Sequence, residues 1–199
     1  SSPLAARRRP SHKLARLHQV RIIGGDWRRR QIPVPDGQGL RPTGDRIRET
    51  LFNWLAPRLP GARCLDLYAG TGVLGLEALS RGADHCRFVE SEPAVAEALR
   101  TQLGRLDATD RADIITGLAP QVLTRCGGDY DIVFLDPPFG SSLLQPSLAA
   151  IAPRLLPGPR VYTALGHLPL STSDAADHPL CADLRVPLLI NHHTIHHRA

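Results

Sequence analysis

The hexapeptide Leu135-Asp136-Pro137-Pro138-Phe139-Gly140 closes an apolar run, Tyr130-Asp131-Ile132-Val133-Phe134. It combines a carboxylate, two ring-locked prolines and an aromatic side chain. Pro-Pro fixes φ at successive positions and removes two N–H donors. What remains is a set of acceptors, the Asp136 carboxylate and backbone carbonyls, beside the Phe139 ring. An exocyclic amino group on a flat base is a donor. Two acceptors can therefore hold the amine with its lone pair turned toward an electrophile, while Phe139 stacks on the ring. The plainer alternative is a strand closed by a proline turn with a capping Asp.

A second group lies upstream. Arg63 to Leu67 reads as a strand that runs into Tyr68-Ala69-Gly70-Thr71-Gly72 and then an amphipathic helix, Val73 to Ser80, closed by Gly82. Gly70, Gly72 and Gly75 spell G-x-G-x-x-G after a strand and at the start of a helix, the context a nucleotide-type loop requires. Glycine lets the backbone approach a ligand closely. A second strand, His85 to Val89, ends in Glu90, an acid suited to ribose hydroxyls. Dinucleotide and S-adenosylmethionine folds share this layout. Asp66 separates them, because a carboxylate there would repel a pyrophosphate but meet a cationic aminoacyl end. Capping across the loops is the alternative role for Asp66 and Glu90.

These groups need a sheet to present them. The run 130–134, bounded by Gly127-Gly128 and the prolines, reads as a buried parallel strand. Open α/β sheets bind ligands at the carboxyl edge, where Asp136 would stand. Arg41 to Arg46 leads into a helix at about 44–56, ended by Pro57, with Thr43 as N-cap and Ile47, Leu51, Trp54 and Leu55 as its core face. A helix from Glu92 to Leu106 has Val95, Leu99 and Leu103 on one face. A third strand, Ala112 to Thr116, delivers Gly117-Leu118-Ala119 to the edge where an adenine would lie. A helix over Pro120–Arg125 precedes the motif strand. A loop at 140–145, a helix to Leu156, a turn at Pro157-Gly158-Pro159 and a strand over Arg160–Ala164 follow it. Leu184 to Ile190 reads as a last strand.

The 199 residues fit one domain, with a net charge of +5. The first thirty hold nine basic residues against one acid, leaving fifteen against eighteen in the remainder. A basic arm on a slightly acidic body has the form of a nucleic-acid footprint, with a solvated tail as the alternative. Residues 1–18 show no periodicity and read as a largely disordered basic arm, at least to residue 10. Gln19 to Ile23 reads as a strand, Gly24-Gly25-Asp26 as a turn and Trp27 to Pro33 as the return. That hairpin would offer Arg21, Arg28, Arg29 and Arg30 to phosphates, with Trp27 as a stacking surface or packed on the domain. Cys64, Cys86, Cys126 and Cys181 have no C-x-x-C spacing and read as reduced thiols with no zinc site. His192 to His197 reads as a frayed terminal strand rather than a metal site. No apolar run approaches the ~20 residues of a membrane span and no signal peptide is evident, so a cytoplasmic protein is expected.

Asp136-Pro137-Pro138-Phe139 resembles the [D/N/S]-P-P-[F/Y/W] motif of S-adenosylmethionine-dependent amino methyltransferases. With Arg21–Arg28, Arg41–Leu55 and Leu65–Gly82, in that order, the chain resembles the RsmD family, bacterial 16S rRNA guanine-N2 methyltransferases. The resemblance covers residues ~19 to ~160. It implies a class I, Rossmann-like fold with a seven-stranded, mostly parallel sheet and a small N-terminal β-hairpin extension. The organisation expected is a basic arm over 1–18, the hairpin extension over 19–40 and a methyltransferase domain over 41–199. It implies S-adenosyl-L-methionine as cofactor, held by Asp66, Tyr68, Ala69, Gly70, Thr71, Gly72, Gly75, Glu90, Leu118 and Thr43. Asp136, Pro137, Pro138 and Phe139 would act on the guanine. Arg21, Trp27, Arg28, Arg29, Arg30, Arg41 and Arg46 would hold 16S rRNA within a 30S subunit or assembly intermediate, the protein acting as a monomer. Adenine N6 or cytosine N4 of another RNA or of DNA presents the same amine. A non-catalytic RNA-binding assembly factor and, more remotely, an NAD dehydrogenase are the other readings. The region after Tyr162 departs from the family pattern, and Leu118 stands where a polar residue is common.

Overall fold

Apolar runs that alternate in which face they bury must be covered on both sides, and the central strands of the main sheet are. The computed structural model describes residues 18–35, 44–138, 141–163 and 188–190. The elements are β1 (Gln19–Arg21), β2 (Gln31–Pro33), α1 (Asp45–Leu55), β3 (Arg63–Asp66), α2 (Val73–Ser80) and β4 (His85–Glu90), then α3 (Pro93–Arg105), β5 (Ala112–Thr116), β6 (Tyr130–Leu135), α4 (Leu144–Ile151), β7 (Leu155–Thr163) and β8 (Leu188–Ile190). β1 and β2 form a separate antiparallel pair. The other strands lie in the order β5-β4-β3-β6-β7-β8, every neighbouring pair parallel. Six strands of this sheet are thus described. The seventh that the resemblance implies is not among the described residues.

Side-chain alternation divides the core into two layers. Cys64, Phe88, Ile132 and Phe134 bury against Phe52 and Leu55 of α1, Leu76 and Leu79 of α2, and Leu99 and Leu103 of α3. Leu65, Val89, Val133 and Leu135 bury on the other face, against Val122, Leu123 and, from α4, Leu148 and Ile151. The chain winds outward from β3 to β5, then returns to β6 on the other side of β3. This reversal leaves the crevice of a doubly wound sheet between β3 and β6, at their carboxyl ends.

Several expectations need correction. α1 buries Arg48, Phe52 and Leu55, while Trp54 is 57% exposed. The apolar periodicity misplaced this face because a charged residue, Arg48, has a buried partner. The N-cap of α1 is Gly44, which makes no side-chain cap hydrogen bond, and Thr43 lies outside the described residues. The chain passes through Pro57 in a 3-10 turn, Ala56–Arg58. α2 is not amphipathic, since all eight of its residues are buried. The segment Gln121–Arg125 is 3-10 rather than α-helical. α4 stops at Ile151, where Pro153 lacks the N–H that would continue it, and β7 starts at Leu155. Pro157 and Pro159 therefore lie inside β7, where its register with β6 shifts between the Tyr130 and Ile132 pairs.

The hairpin strands are shorter than expected. Ile22 faces two residues, donating its N–H to Arg30 O (2.9 Å) and accepting from Arg29 N–H (2.8 Å). Arg29 adopts φ 72°, the left-handed first position of a bulge. Beyond it the Ile23 and Gly24 N–H groups leave the ladder for the Glu77 carboxylate, both at 2.8 Å. Cys64, Cys86 and Cys126 are buried free thiols. Cys181, the 1–17 arm, Ala164 and the 191–199 segment with its histidines lie outside the described residues.

Candidate functional site

β3 delivers Asp66 to the carboxyl edge, and its neighbours hold the loop that follows. Leu67 N–H donates to Phe134 O (3.1 Å) and Ala69 N–H to Val89 O (2.9 Å), extending the ladders on both sides past the strand. The chain then turns at Gly70 (φ 54°) and Gly72 (φ 77°), with Gly72 N–H on Ala69 O at 2.7 Å. Both φ values favour glycine. At Gly75 the reason is packing, because a Cβ would lie 2.3 Å from the Phe88 ring and 2.6 Å from Cys86 Sγ. The three glycines thus shape the turn and seat α2 against β4, the division expected of a nucleotide-type loop.

Two carboxylates brace this loop. Asp66 is 1% exposed and its Oδ2 accepts the Gly75 N–H at 3.1 Å. Burial pushes its carboxyl up to about 7; the Gly75 hydrogen bond opposes this, while Asp136 and Glu90 add to it. Glu90 Oε2 accepts from Gly70 N–H (2.8 Å) and Oε1 from Glu92 N–H (2.9 Å). Both acids therefore hold backbone amides, as the capping alternative anticipated, while still edging the crevice. Tyr68 Oη is 2.7 Å from the buried Ser147 Oγ of α4, tying the loop to the element after the motif. Thr71 and Ala69 are buried.

Asp66 pairs with Phe134 across β3 and β6, so Asp136 leaves the sheet two residues further along on the adjacent strand. Residues 66–72 and 136–138 therefore share one edge and one crevice, and Asp136 is near enough to raise the proton affinity of Asp66. Asp136 and Pro137 are half-buried and Pro138 is exposed. Ser141 N–H donates to Pro138 O at 3.1 Å, turning the chain back. Phe139 lies outside the described residues. Leu118, two residues past β5, is 65% exposed beside Gly117, whose N–H reaches Glu90 O at 2.9 Å.

The basic residues divide. Arg28, Arg29 and Arg30 are exposed on the hairpin turn, and Arg46 is exposed at the start of α1. Arg21 is ion-paired, its Nε 2.7 Å from Asp45 Oδ2. Trp27 is half-buried against the core, with the Arg111 guanidinium 5.9 Å from its ring centre. Arg41 lies outside the described residues. A cavity of about 380 Å³ between the hairpin and α1 is lined by Val20, Arg21, Gln31, Gly44 and Asp45 among others, and no crevice residue lines it.

Sequence reasoning missed Glu77, Arg48 and Ser147, all fully buried. Glu77 had a visible signal, a lone acid inside the apolar helix Val-Leu-Gly-Leu-Glu-Ala-Leu-Ser. Ser147 had none. Among the described residues no group of three or more His, Cys, Asp and Glu side chains could hold a metal ion. None of the described helices is long and apolar enough to cross a membrane.

Comparisons with known proteins agree with this layout. The ribosomal RNA small subunit methyltransferase D of Escherichia coli K12 is 51% identical over 130 residues, 65% of each chain. The chain therefore spans about 65% of the length of that curated relative. Its Haemophilus influenzae counterpart is 43% identical over 136 residues, 67% of this chain and 70% of the relative. The solved structure of Escherichia coli yhhF, 42% identical, superposes with a TM-score of 0.67 over 73% of this chain and 80% of that one. A family model described as "Conserved hypothetical protein 95" matches residues 20–165, and with these relatives it makes the chain a member of that family, the RsmD family, with a class I Rossmann-like methyltransferase fold.

Proposed function

We propose that the protein transfers a methyl group from S-adenosyl-L-methionine to the exocyclic N2 of a guanine in 16S rRNA, within a 30S subunit or an assembly intermediate in the cytoplasm. The observation that carries this reading is the shared crevice, with the Asp66–Gly72 loop on one strand and Asp136–Pro137 on its neighbour. The relatives named as small subunit rRNA methyltransferases support the substrate class.

The donor set fits the cofactor. Carboxylates at Asp66, Glu90 and Asp136 suit a ligand carrying ammonium, sulfonium and ribose hydroxyls, and disfavour a pyrophosphate. The exposed Leu118 supplies an apolar wall for a purine ring. Asp66 and the 70–72 backbone would hold the methionyl part, Glu90 the ribose, and Leu118 the adenine, with Tyr68, Ala69, Thr71, Gly75 and Thr43 shaping the pocket. Bound there, the cofactor supplies an electrophilic methyl on sulfur.

The remaining work falls to the chain's own groups. Asp136 Oδ and the Pro137 carbonyl accept the two N2 hydrogens and turn the nitrogen lone pair toward the methyl. The pyrrolidine rings keep those acceptors stiff. Phe139 stacks on the guanine, which must leave its own stack to enter. Transfer would exchange the donor's S–C bond for the new N–C bond, and Asp136 would pass the released amine proton to solvent. Because methylation itself acidifies the amine, Asp136 need not be a strong base. Alignment supplies most of the acceleration. Arg28, Arg29, Arg30, Arg46 and Arg41 would hold phosphates, with Arg21 and Trp27 supporting that face.

A tritiated-methyl assay on 30S subunits, naked 16S rRNA and duplex DNA, with nucleoside analysis of the product, tests the reading. Label in N2-methylguanosine of the ribosomal substrates is expected. Label in adenine, in cytosine or only in DNA would overturn it, and so would calorimetry showing no S-adenosylmethionine binding.

A further inference from the structure

We propose that Glu77 and Ser80 of α2 are positioning residues that fix the N-terminal hairpin, and with it the Arg28–Arg30 turn, at one distance and angle from the crevice. The inference rests on the reading of the preceding subsection, and it adds how the RNA-holding face is kept in register with the reacting groups.

The observations form one buried network. α2 is capped by Gly72, the last residue of the crevice loop, so whatever is bolted to α2 moves with that loop. Glu77 is fully buried, and its carboxylate accepts from Ile23 N–H and Gly24 N–H (2.8 Å each), from Arg81 Nε (2.9 Å) and from Arg48 Nη1 (3.3 Å). Ser80, one turn later, donates its hydroxyl to Gly24 O (2.6 Å) and accepts Trp27 N–H (2.9 Å), while Ser80 O accepts Asp26 N–H (2.8 Å). Arg48 carries the link to β1 through Arg21 O (2.8 Å) and to Asp45 (2.6 Å), which in turn holds Arg21.

The glycines of the hairpin are cut to this contact. A Cβ on Gly25, at φ 78°, would sit 1.9 Å from Ser80 O, and one on Gly24 would sit 2.7 Å from the Arg81 guanidinium. A free-standing basic arm would need neither a buried acid nor backbone apposition this close. Two strands of three residues are too short to hold a hairpin rigid by themselves. The stiffness of the basic turn is therefore borrowed from α2.

A phosphate backbone gripped by a rigid turn presents its target base at a set distance, which lowers the entropic cost of a productive encounter. Weakening the clamp should then act on substrate binding and spare the cofactor pocket. Gly25→Ala displaces the hairpin by sterics, and Ser80→Ala removes two of its hydrogen bonds without stranding a buried charge. Each variant of the full chain is compared with wild type for KM and kcat on unmodified 30S subunits, for direct 30S binding, and for S-adenosylmethionine affinity by calorimetry.

Gly25→Ala is expected to raise KM and the 30S Kd by about tenfold or more, and Ser80→Ala by several-fold, with kcat and cofactor affinity retained. Faster amide exchange should accompany both, at Ile23 and Gly24 in Gly25→Ala and at Trp27 in Ser80→Ala. An unchanged KM in a Gly25→Ala protein whose hairpin amides have lost protection would overturn the positioning role alone. Loss of kcat and cofactor affinity at unchanged KM would also overturn it. A wild-type protein that binds no 30S subunit at all would contradict the functional reading beneath it.

Discussion

A carboxyl group enclosed as Asp66 is, and facing Asp136 and Glu90, keeps its proton up to about pH 7. Its unfolded counterpart ionises near ~4. Between those values the native state binds more protons than the unfolded one. The stability Asp66 contributes is therefore complete below about pH 4 and lost as pH rises through about 7. Asp66→Asn should flatten this dependence: between about pH 5 and 8 the wild type loses roughly 2–3 kcal/mol that the variant does not. Denaturant midpoints across that range check it, and parallel profiles would contradict it. A cation in the crevice favours ionised Asp66, so S-adenosylmethionine should bind more tightly as pH rises through about 7. Asp136 plays a different part. Asp136→Ala should abolish methyl transfer while leaving cofactor affinity nearly intact in calorimetry, and full turnover would refute its role. Asp66, Glu90 and Asp136 were legible as candidates from spacing alone. Their hydrogen-bond duties were not, because both the capping and the ligand readings put an acid at a strand end.

At the scale of elements, α2 carries the heaviest constraint. Gly75→Ala would press a methyl into Phe88 and Cys86. Overpacking of this kind costs about 1–3 kcal/mol, so chemical denaturation should show a loss in that range. Glu77→Leu should cost more, about 3–5 kcal/mol, since it removes a buried carboxylate partner of Arg48 and Arg81 and strands two backbone N–H groups. A near-neutral effect in either variant would show that the helix has more room than its packing implies. Strand β5 and strand β6 were read from the sequence with bounds close to those observed, because short β-branched runs between turn residues leave little choice. α1 was misread for an equally physical reason. Its inward face includes Arg48, which no apolar pattern can find, and Trp54 was assigned to the core although it faces solvent. The start of β7 was missed because two prolines read as a turn, whereas the parallel ladder accommodates them by a register shift.

The molecule as a whole joins an acidic-edged crevice to a basic extension. The α/β class was legible from alternating strand and helix signals and the Rossmann-like sheet from the family resemblance, while the crevice between β3 and β6 follows from the observed strand order. The docking of the hairpin was not legible, since it depends on partners more than fifty residues away in the chain, Ile23 with Glu77 and Trp27 with Ser80. If the three exposed arginines of the turn contact phosphates, replacing Arg28, Arg29 and Arg30 by Ala should reduce the salt dependence of 30S binding. The log Kd–log salt slope should fall by roughly 2–3, and an unchanged slope would remove them from the interface. The most direct measurement of the central claim is mass mapping of methylated nucleosides in 16S rRNA from cells with and without this protein. The account predicts one N2-methylguanosine that disappears with the protein and returns with the wild type but not with Asp136→Ala; an unchanged guanine pattern, or the loss of a methylated adenine or cytosine instead, would contradict it.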